Sequence, residues 1–301
     1  MISLSIIVTT KDREKDLIEC VRSIAKQIVL PDEVIVVDDG NISGAVKDSI
    51  QSLLHNSDIK FRYFQKDVPG LAESRNLGAQ KALGEIVLYL DDDVILSENY
   101  ITLLKKKWER NKEDLKLGGI GGIIENLRSI SFLEKIYNRI FLLSSFISWD
   151  ITNVGFQVWD PSIKNTQKVF YLSGGISSFR KKLIEKIPFR PLSPGRTALE
   201  DVDFFMRAKN KGYYFIIQPK AKVFHKQSSV NKENDFLIGT KEGYNRKVIF
   251  KDNCEKNLKN YLWFYWANIG WILRQFLTGH FSKGFGMVKG LFAKTKWKRN
   301  L

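Results

Sequence analysis

A short apolar run, Ile86-Val87-Leu88-Tyr89-Leu90, is entered from Gly84 and drives straight into three consecutive carboxylates, Asp91-Asp92-Asp93. About five apolar residues with β-branched and aromatic members are too few for a helix and suit a strand buried on both faces. Such a strand needs covering layers above and below it, which points to a parallel α/β sheet. Ligands in these sheets bind beyond the carboxyl ends of the strands, where the acids sit. Side chains two apart share a face, so Asp91 and Asp93 point together and Asp92 points away. Two carboxylates held together repel, and a hard divalent cation, Mg²⁺ or Mn²⁺, shared with substrate phosphates relieves the repulsion. A solvated loop at a strand end would carry the same residues, so these acids alone leave both readings open.

The chain before this run repeats one pattern. Residues 3–9 are an apolar strand leading into Thr9-Thr10-Lys11-Asp12-Arg13, and residues 14–27 place Leu17, Ile18, Val21, Ile24 and Ala25 at helical spacing. A second strand, 33–37, ends in Asp38-Asp39-Gly40; a helix over 43–54, a strand over 59–64 and a helix over 71–83 follow. Strand and helix alternating at these lengths predict a doubly wound, mostly parallel sheet of Rossmann-like type. Arg75 and Asn76 lie in the middle of the helix before the acidic strand, where a wet face or a nucleotide would suit them.

Beyond the acids, a polar helix over 98–111 precedes Gly118-Gly119-Ile120-Gly121-Gly122, a glycine-rich strand read as close backbone packing because it lacks the context of a dinucleotide fingerprint. Residues 127–165 lose the rhythm and carry many aromatics, as an inserted segment would. A strand is expected at Val169-Phe170-Tyr171-Leu172 before Gly174-Gly175, and a basic helix over 179–187. After the loop 191–197, Glu200-Asp201-Val202-Asp203 crowd the first turn of a helix running to about 211, which is also good helix chemistry in its own right. Strands over 213–218 and 221–225 end at His225, either structural or a metal ligand.

Together, Ile6-Ile7-Val8-Thr9, Val36-Val37-Asp38-Asp39-Gly40, Gly70 to Asn76, Asp91-Asp92-Asp93, Glu200 to Asp203 and Ala221 to His225 resemble a family 2 glycosyltransferase of GT-A fold over about residues 2–226. The resemblance implies an α/β catalytic domain of residues 1–226, with a nucleotide-binding half (1–97) and an acceptor half (98–226), followed by a helical extension (227–301). It implies that Thr9, Asp38, Asp39 and Arg75 hold the nucleotide together with Asp91 and Asp92. Asp93, Asp91 and His225 would hold Mn²⁺ or Mg²⁺. Asp201 would be the general base, with Glu200 orienting it. The implied reaction is metal-dependent, inverting transfer of a sugar from a UDP-, GDP- or dTDP-linked donor to a glycan hydroxyl. The sequence after Asp93, Val94-Ile95-Leu96-Ser97, differs from the Gln-His-Pro-Pro type found where polyprenyl phosphate itself is glycosylated, which favours elongation of a lipid-linked glycan. Two departures touch the site: Thr10-Lys11-Asp12 stands where an aromatic-Asn pair is common, and Ile176 where a small polar residue is common. A nucleotidyltransferase would want a glycine-rich basic loop after its first strand, and residues 9–13 contain no glycine. A non-catalytic nucleotide-sugar-binding module would not need Asp201.

The formal net charge is +15, and its placement matters more than its size. From Lys256 to Leu301 there are nine Lys/Arg, no Asp/Glu and four of the seven tryptophans, which together call for an acidic partner surface. Tyr261–Leu273 is apolar nearly all round but too short to span a bilayer, which takes roughly 20 residues. Phe281, Phe285, Val288 and Phe292 fall on one helical face beside Lys283, Lys289, Lys294, Lys296, Lys298 and Arg299. Aromatics with cations suit an interfacial helix on an anionic membrane; packing on the catalytic domain is the alternative, and no nucleic-acid-binding module surrounds the charge. With only two widely separated cysteines and no leader-like start, the expected location is cytoplasmic, peripheral on the inner face of the cell membrane.

Overall fold

The computed structural model describes residues 2–145, 149–158, 160–193, 198–228 and 233–294. The expectations for Phe146 and Trp159, for residues 194–197 of the loop before Glu200, and for Lys296, Lys298 and Arg299 lie outside these. In chain order the elements begin β1 (Leu4–Thr10), α1 (Glu14–Ala25), β2 (Glu33–Asp38), α2 (Gly44–His55), β3 (Lys60–Gln65), α3 (Leu71–Lys81) and β4 (Ile86–Asp91). They continue with β5 (Val94–Leu96), α4 (Tyr100–Arg110), β6 (Leu117–Ile124), α5 (Phe132–Ile140), the hairpin β7 (Asp150–Ile151) and β8 (Gln157–Val158), and β9 (Gln167–Val169). β10 (Ser177–Arg180), α6 (Lys181–Lys186), α7 (Glu200–Asn210) and β11 (Tyr214–His225) close the sheet, and α8 (Asp235–Asn253), α9 (Leu258–Leu277) and α10 (Phe281–Phe292) follow it.

One nine-stranded sheet runs β3-β2-β1-β4-β10-β6-β11-β5, with β9 also on β11. β3, β2, β1 and β4 are parallel neighbours, as are β6 and β11, while β10 enters antiparallel between β4 and β6. The fold is therefore mixed α/β around a mostly parallel sheet. Its two faces bury separate cores. One packs Leu17, Val21 and Ile24 of α1, Ile50 of α2 and Leu104 of α4 against Ile6, Val8 and Leu88. The other packs Ala72 and Ala79 of α3 and Phe204 and Phe205 of α7 against Ile7, Val87 and Phe179.

Small residues set the spacing where elements press closest. A side chain at Gly78 would strike Ile7, so α3 can lie on β1 only because that position is bare. Gly119 and Gly122 of β6 face Ser178 and Ala221 backbone carbonyls just as tightly, so the glycine-rich strand serves sheet packing, as expected.

Three expectations change. The strand expected at 169–172 ends at Val169, because β9 pairs with β11 through Gln167, Lys168 and Val169 and stops there. The basic helix expected from 179 begins at Lys181, and Ser177–Arg180 form a central strand whose neighbours, β4 and β6, are far off in sequence. The two strands expected at 213–225 are one, β11, which shifts register against β6 between Ile217 and Lys222 and takes β5 on its other edge at Val223–His225.

No helix among the described residues is long and apolar enough to cross a membrane. α8 and α10 instead pack backbone to backbone. Gly239 and Gly243 of α8 meet the carbonyls of Lys283 and Met287, and Gly286 and Gly290 of α10 meet those of Phe236 and Thr240.

Candidate active site

Parallel pairing lays the ends of three strands side by side: Thr9 of β1 lies opposite Val37 of β2 and Asp91 of β4, and Thr10 opposite Asp38. The expected donor-site residues thus share one sheet edge, but their side chains divide. Asp38 is fully buried and accepts from the Gly40 and Ile42 N–H groups and from Tyr63 Oη (2.7, 2.9 and 2.8 Å), so it shapes the loop after β2. Asp39 accepts from Ser74 Oγ (2.6 Å), Gly70 N (2.8 Å) and Lys66 Nζ (3.0 Å), tying that loop to the start of α3.

Asp92, expected among the nucleotide-binding residues, turns to the loop after β1. It is buried, accepting from Thr10 Oγ1 (2.8 Å) and Arg13 Nη1 (3.0 Å), and burial pushes its carboxyl up to about 6 against the pull of Thr10 and Arg13. The alternation that turned Asp92 away leaves Asp91 and Asp93 together. Ligand atoms of Asp91, Asp93 and His225 all lie within 4.8 Å of one another. Two carboxylates and an imidazole are a donor set that Mn²⁺ accepts readily and Mg²⁺ accepts with substrate oxygens added.

Each member of this cluster is held in place. A side chain at Gly175 would overlap the Asp91 carboxylate, and Asp91 N–H bonds the Gly175 carbonyl (2.9 Å). Asp93 accepts from Ser228 N (3.1 Å) and faces Arg13 (3.2 Å) and His225 Nε2 (3.4 Å). His225 Nδ1 accepts from the Gln227 N–H (3.2 Å), which leaves the ring proton of the neutral imidazole on Nε2, towards Asp93. To give a cation the Nε2 lone pair, the ring must shed the Gln227 contact and move its proton to Nδ1.

Arg75, expected at the nucleotide, lies between two acidic centres. It is buried with its guanidinium between Glu200 (3.2 Å) and Asp91 (3.7 Å) and over the Phe189 ring (5.3 Å). It therefore joins Asp91 to the acids of α7. Asn76, beside it, is no wet-face residue either: it exchanges two hydrogen bonds with the backbone of Phe189 (2.8 and 2.9 Å).

α7 starts from Leu199 in the left-handed conformation (φ 71°), which turns the chain so that Glu200 goes inward and Asp201 stays half-exposed. Burial pushes the Glu200 carboxyl up to about 7, with Arg75 pulling against it and Asp201 adding to the rise. Asp201 accepts from Tyr171 Oη (2.6 Å) and from its neighbour's N–H, Val202 N (2.8 Å). Burial and the Asp201 charge hold the Tyr171 hydroxyl protonated, so it is a fixed donor. A side chain at Gly174 would touch both Arg75 and Asp201, and this glycine pair lets the two acidic centres approach. Asp203 is fully buried and neutralised by Arg190 and Arg207, which makes it structural.

Arg13, Lys66 and Tyr171 also enter this region, and nothing in the sequence singles them out. Arg13 and Lys66 sit in loops among other cations and carry no motif. Tyr171 was hidden by being read as part of a strand.

The glycosyl transferase family 2 model matches residues 5–187. Among curated proteins, glycosyltransferase GlyG of Streptococcus pneumoniae is 31% identical over 117 residues, 38% of each chain. The GalNAc(5)-diNAcBac-PP-undecaprenol beta-1,3-glucosyltransferase of Campylobacter jejuni is 38% identical over 108 residues, 35% of each chain. The matches thus span less than two fifths of these relatives' lengths. Among solved structures, a mannosyltransferase of Pyrobaculum calidifontis in complex with GDP-Man and Mn²⁺ superposes with a TM-score of 0.60 at 14% identity, over 98% of this chain and 88% of that one, a likeness of GT-A fold. With the family model covering more than half its length, this chain belongs to glycosyl transferase family 2.

Proposed function

We propose that this glycosyltransferase moves a sugar from a nucleoside-diphosphate donor to a glycan hydroxyl with inversion, Asp201 acting as the base. The observation that carries the reading is the bridge made by Arg75, whose guanidinium reaches both Asp91 of the Asp91–Asp93–His225 cluster and Glu200 next to Asp201 and so holds the two acidic centres together. A divalent cation held by Asp91, Asp93 and His225 would supply neutralisation of the charge that builds on the departing diphosphate. Asp201, oriented by Tyr171 and by Val202 N, takes the acceptor hydroxyl's proton as its oxygen bonds to the anomeric carbon. The bond from that carbon to the diphosphate oxygen breaks on the opposite face, and one displacement inverts the centre. Glu200 and Arg75 hold Asp201 and Asp91 in register.

The Campylobacter relative's name specifies an acceptor on undecaprenol diphosphate. With the cationic, aromatic residues 256–301, this supports a lipid-linked acceptor and a peripheral position on the anionic inner face of the cell membrane. The test is calorimetric binding of UDP, GDP and dTDP with and without Mn²⁺, to the wild type and to Asp93→Ala. Metal-dependent binding of one nucleotide, lost in the variant, is expected; a folded protein that binds none of them sinks the reading.

A further inference from the structure

We infer that the membrane-facing surface is built from three helices, α5 of the catalytic half together with α9 and α10, and that its partner is an anionic lipid bilayer. α9 exposes Leu258, Leu262, Tyr265, Ile269, Leu273 and Leu277, one unbroken stripe at helical spacing. α10 continues it with Phe281, Phe285, Val288 and Phe292. α5, which lies more than a hundred residues earlier, exposes Phe132, Leu133, Ile136 and Ile140. The four phenylalanines are 58–76% exposed. At roughly 200 Å² each when bare, they alone present about 500 Å², as much as the largest apolar patch of an ordinary monomer.

The three stripes are continuous. Trp266 of α9 donates to the Ile140 carbonyl at the end of α5 (2.7 Å) and stacks on Phe141 (5.0 Å). Tyr137 donates to Gly270 (2.6 Å) and Arg274 reaches Glu134 (3.2 Å). Phe276 packs on Phe281 and Phe285 (6.0 and 5.3 Å), joining α9 to α10. The opposite faces are occupied: Phe264 and Ala267 are buried against Phe250 and its neighbours, and α10 is seated on α8 through glycines. The extension therefore packs on the domain and still offers an apolar face.

Charge selects the occupant. α9 and α10 contain no acid, and Lys256, Lys259, Lys289 and Lys294 are exposed along them. A second copy of this chain would set the same cations against themselves, whereas an anionic lipid surface complements them while accepting the apolar stripes. The inference rests on the membrane part of the proposed function and not on its chemistry, so a chain that bound vesicles but no nucleotide would keep this surface and lose the transferase mechanism.

The experiment is co-sedimentation of the full chain with vesicles of phosphatidylcholine mixed with phosphatidylglycerol, and with phosphatidylcholine alone. Deleting residues 256–301 would strip α10 from α8, so point variants are better. In Phe132→Glu with Leu133→Glu, the lost side chains are about three-quarters exposed, and acids at a helix start suit the helix dipole. Vesicle binding by this variant is expected to fall at least about tenfold, one order in affinity, with nucleotide binding unchanged. Wild-type-like binding by the variant overturns the three-helix surface in favour of the tail alone. Failure of the wild type to bind phosphatidylglycerol vesicles overturns it too, and a concentration-dependent dimer dissolved by the same substitutions would hand the face to a second copy. If the double variant loses nucleotide binding, Leu133→Glu alone, also on α5, takes its place with the same outcomes.

Discussion

At Asp201 a carboxylate is oriented from two sides while remaining half-exposed, the combination a base needs. Asp201→Asn keeps the shape and removes the basicity. Turnover should fall by about 10²–10⁴-fold, the usual worth of a general base, while calorimetric affinity for the donor nucleotide stays within error. Unchanged turnover would remove Asp201 from the chemistry. Glu200 gives a pH signature. Its carboxyl ordinarily titrates at 4.5 and is raised by burial to about 7. Between those values the folded chain keeps a proton that the unfolded chain has released. The stability owed to this group is therefore highest below about pH 4.5 and declines as pH rises to about 7, after which it is level. Glu200→Gln should flatten that part of the melting-temperature profile relative to wild type, and the comparison cancels the titrating groups that do not interact with Glu200. A profile with the same slope in both proteins would show that Glu200 titrates normally.

Two glycine-dependent junctions decide how the elements meet. Gly175 lies against Asp91, and an added methyl must displace that carboxylate or bend the strand end. Gly175→Ala is expected to weaken Mn²⁺-dependent nucleotide binding at least about tenfold, matching an overpacking cost of about 1–3 kcal/mol, with little change in metal-free melting temperature. At the α8–α10 contact the cost falls on the fold. Gly243→Val would drive a branched side chain into the Met287 backbone and should lower urea-unfolding stability by about 3 kcal/mol. Much of this architecture was legible in the sequence. β1 to β4 and their helices follow from hydrophobic periodicity, and the alternation at Asp91-Asp92-Asp93 foretold which acid turns away. What stayed hidden depends on pairing across the chain. β5 is three residues long and exists through its partner β11, which lies more than a hundred residues on. Ser177–Arg180 reads as a helix start until β4 and β6 are seen on either side. Arg75 offered no clue to its partner, because Glu200 is 125 residues away.

Across the whole molecule, the site draws on distant parts of one sheet: the β1 loop through Arg13, the end of β4, the end of β11 at His225, α3 through Arg75 and α7 through Glu200 and Asp201. A ligand that joins these parts binds the folded domain and nothing in the unfolded chain, so its binding free energy adds to the stability of the domain as a unit. With Mn²⁺ present and a matching nucleotide at about 100 times its dissociation constant, the gain is about 2.7 kcal/mol. For a domain of this size that raises the melting temperature by roughly 5 °C or more. The cation should matter to the protein even without nucleotide, because Asp91 and Asp93 lie together with the Asp92 carboxylate beside them, Arg13 facing Asp93 and Arg75 facing Asp91. A smaller rise with Mn²⁺ alone, reversed by EDTA and absent in Asp93→Ala, is therefore expected by differential scanning fluorimetry. If nucleotide alone gave the full rise and EDTA left it untouched, the three ligands would be a structural cluster and the transfer would proceed without a metal at that position.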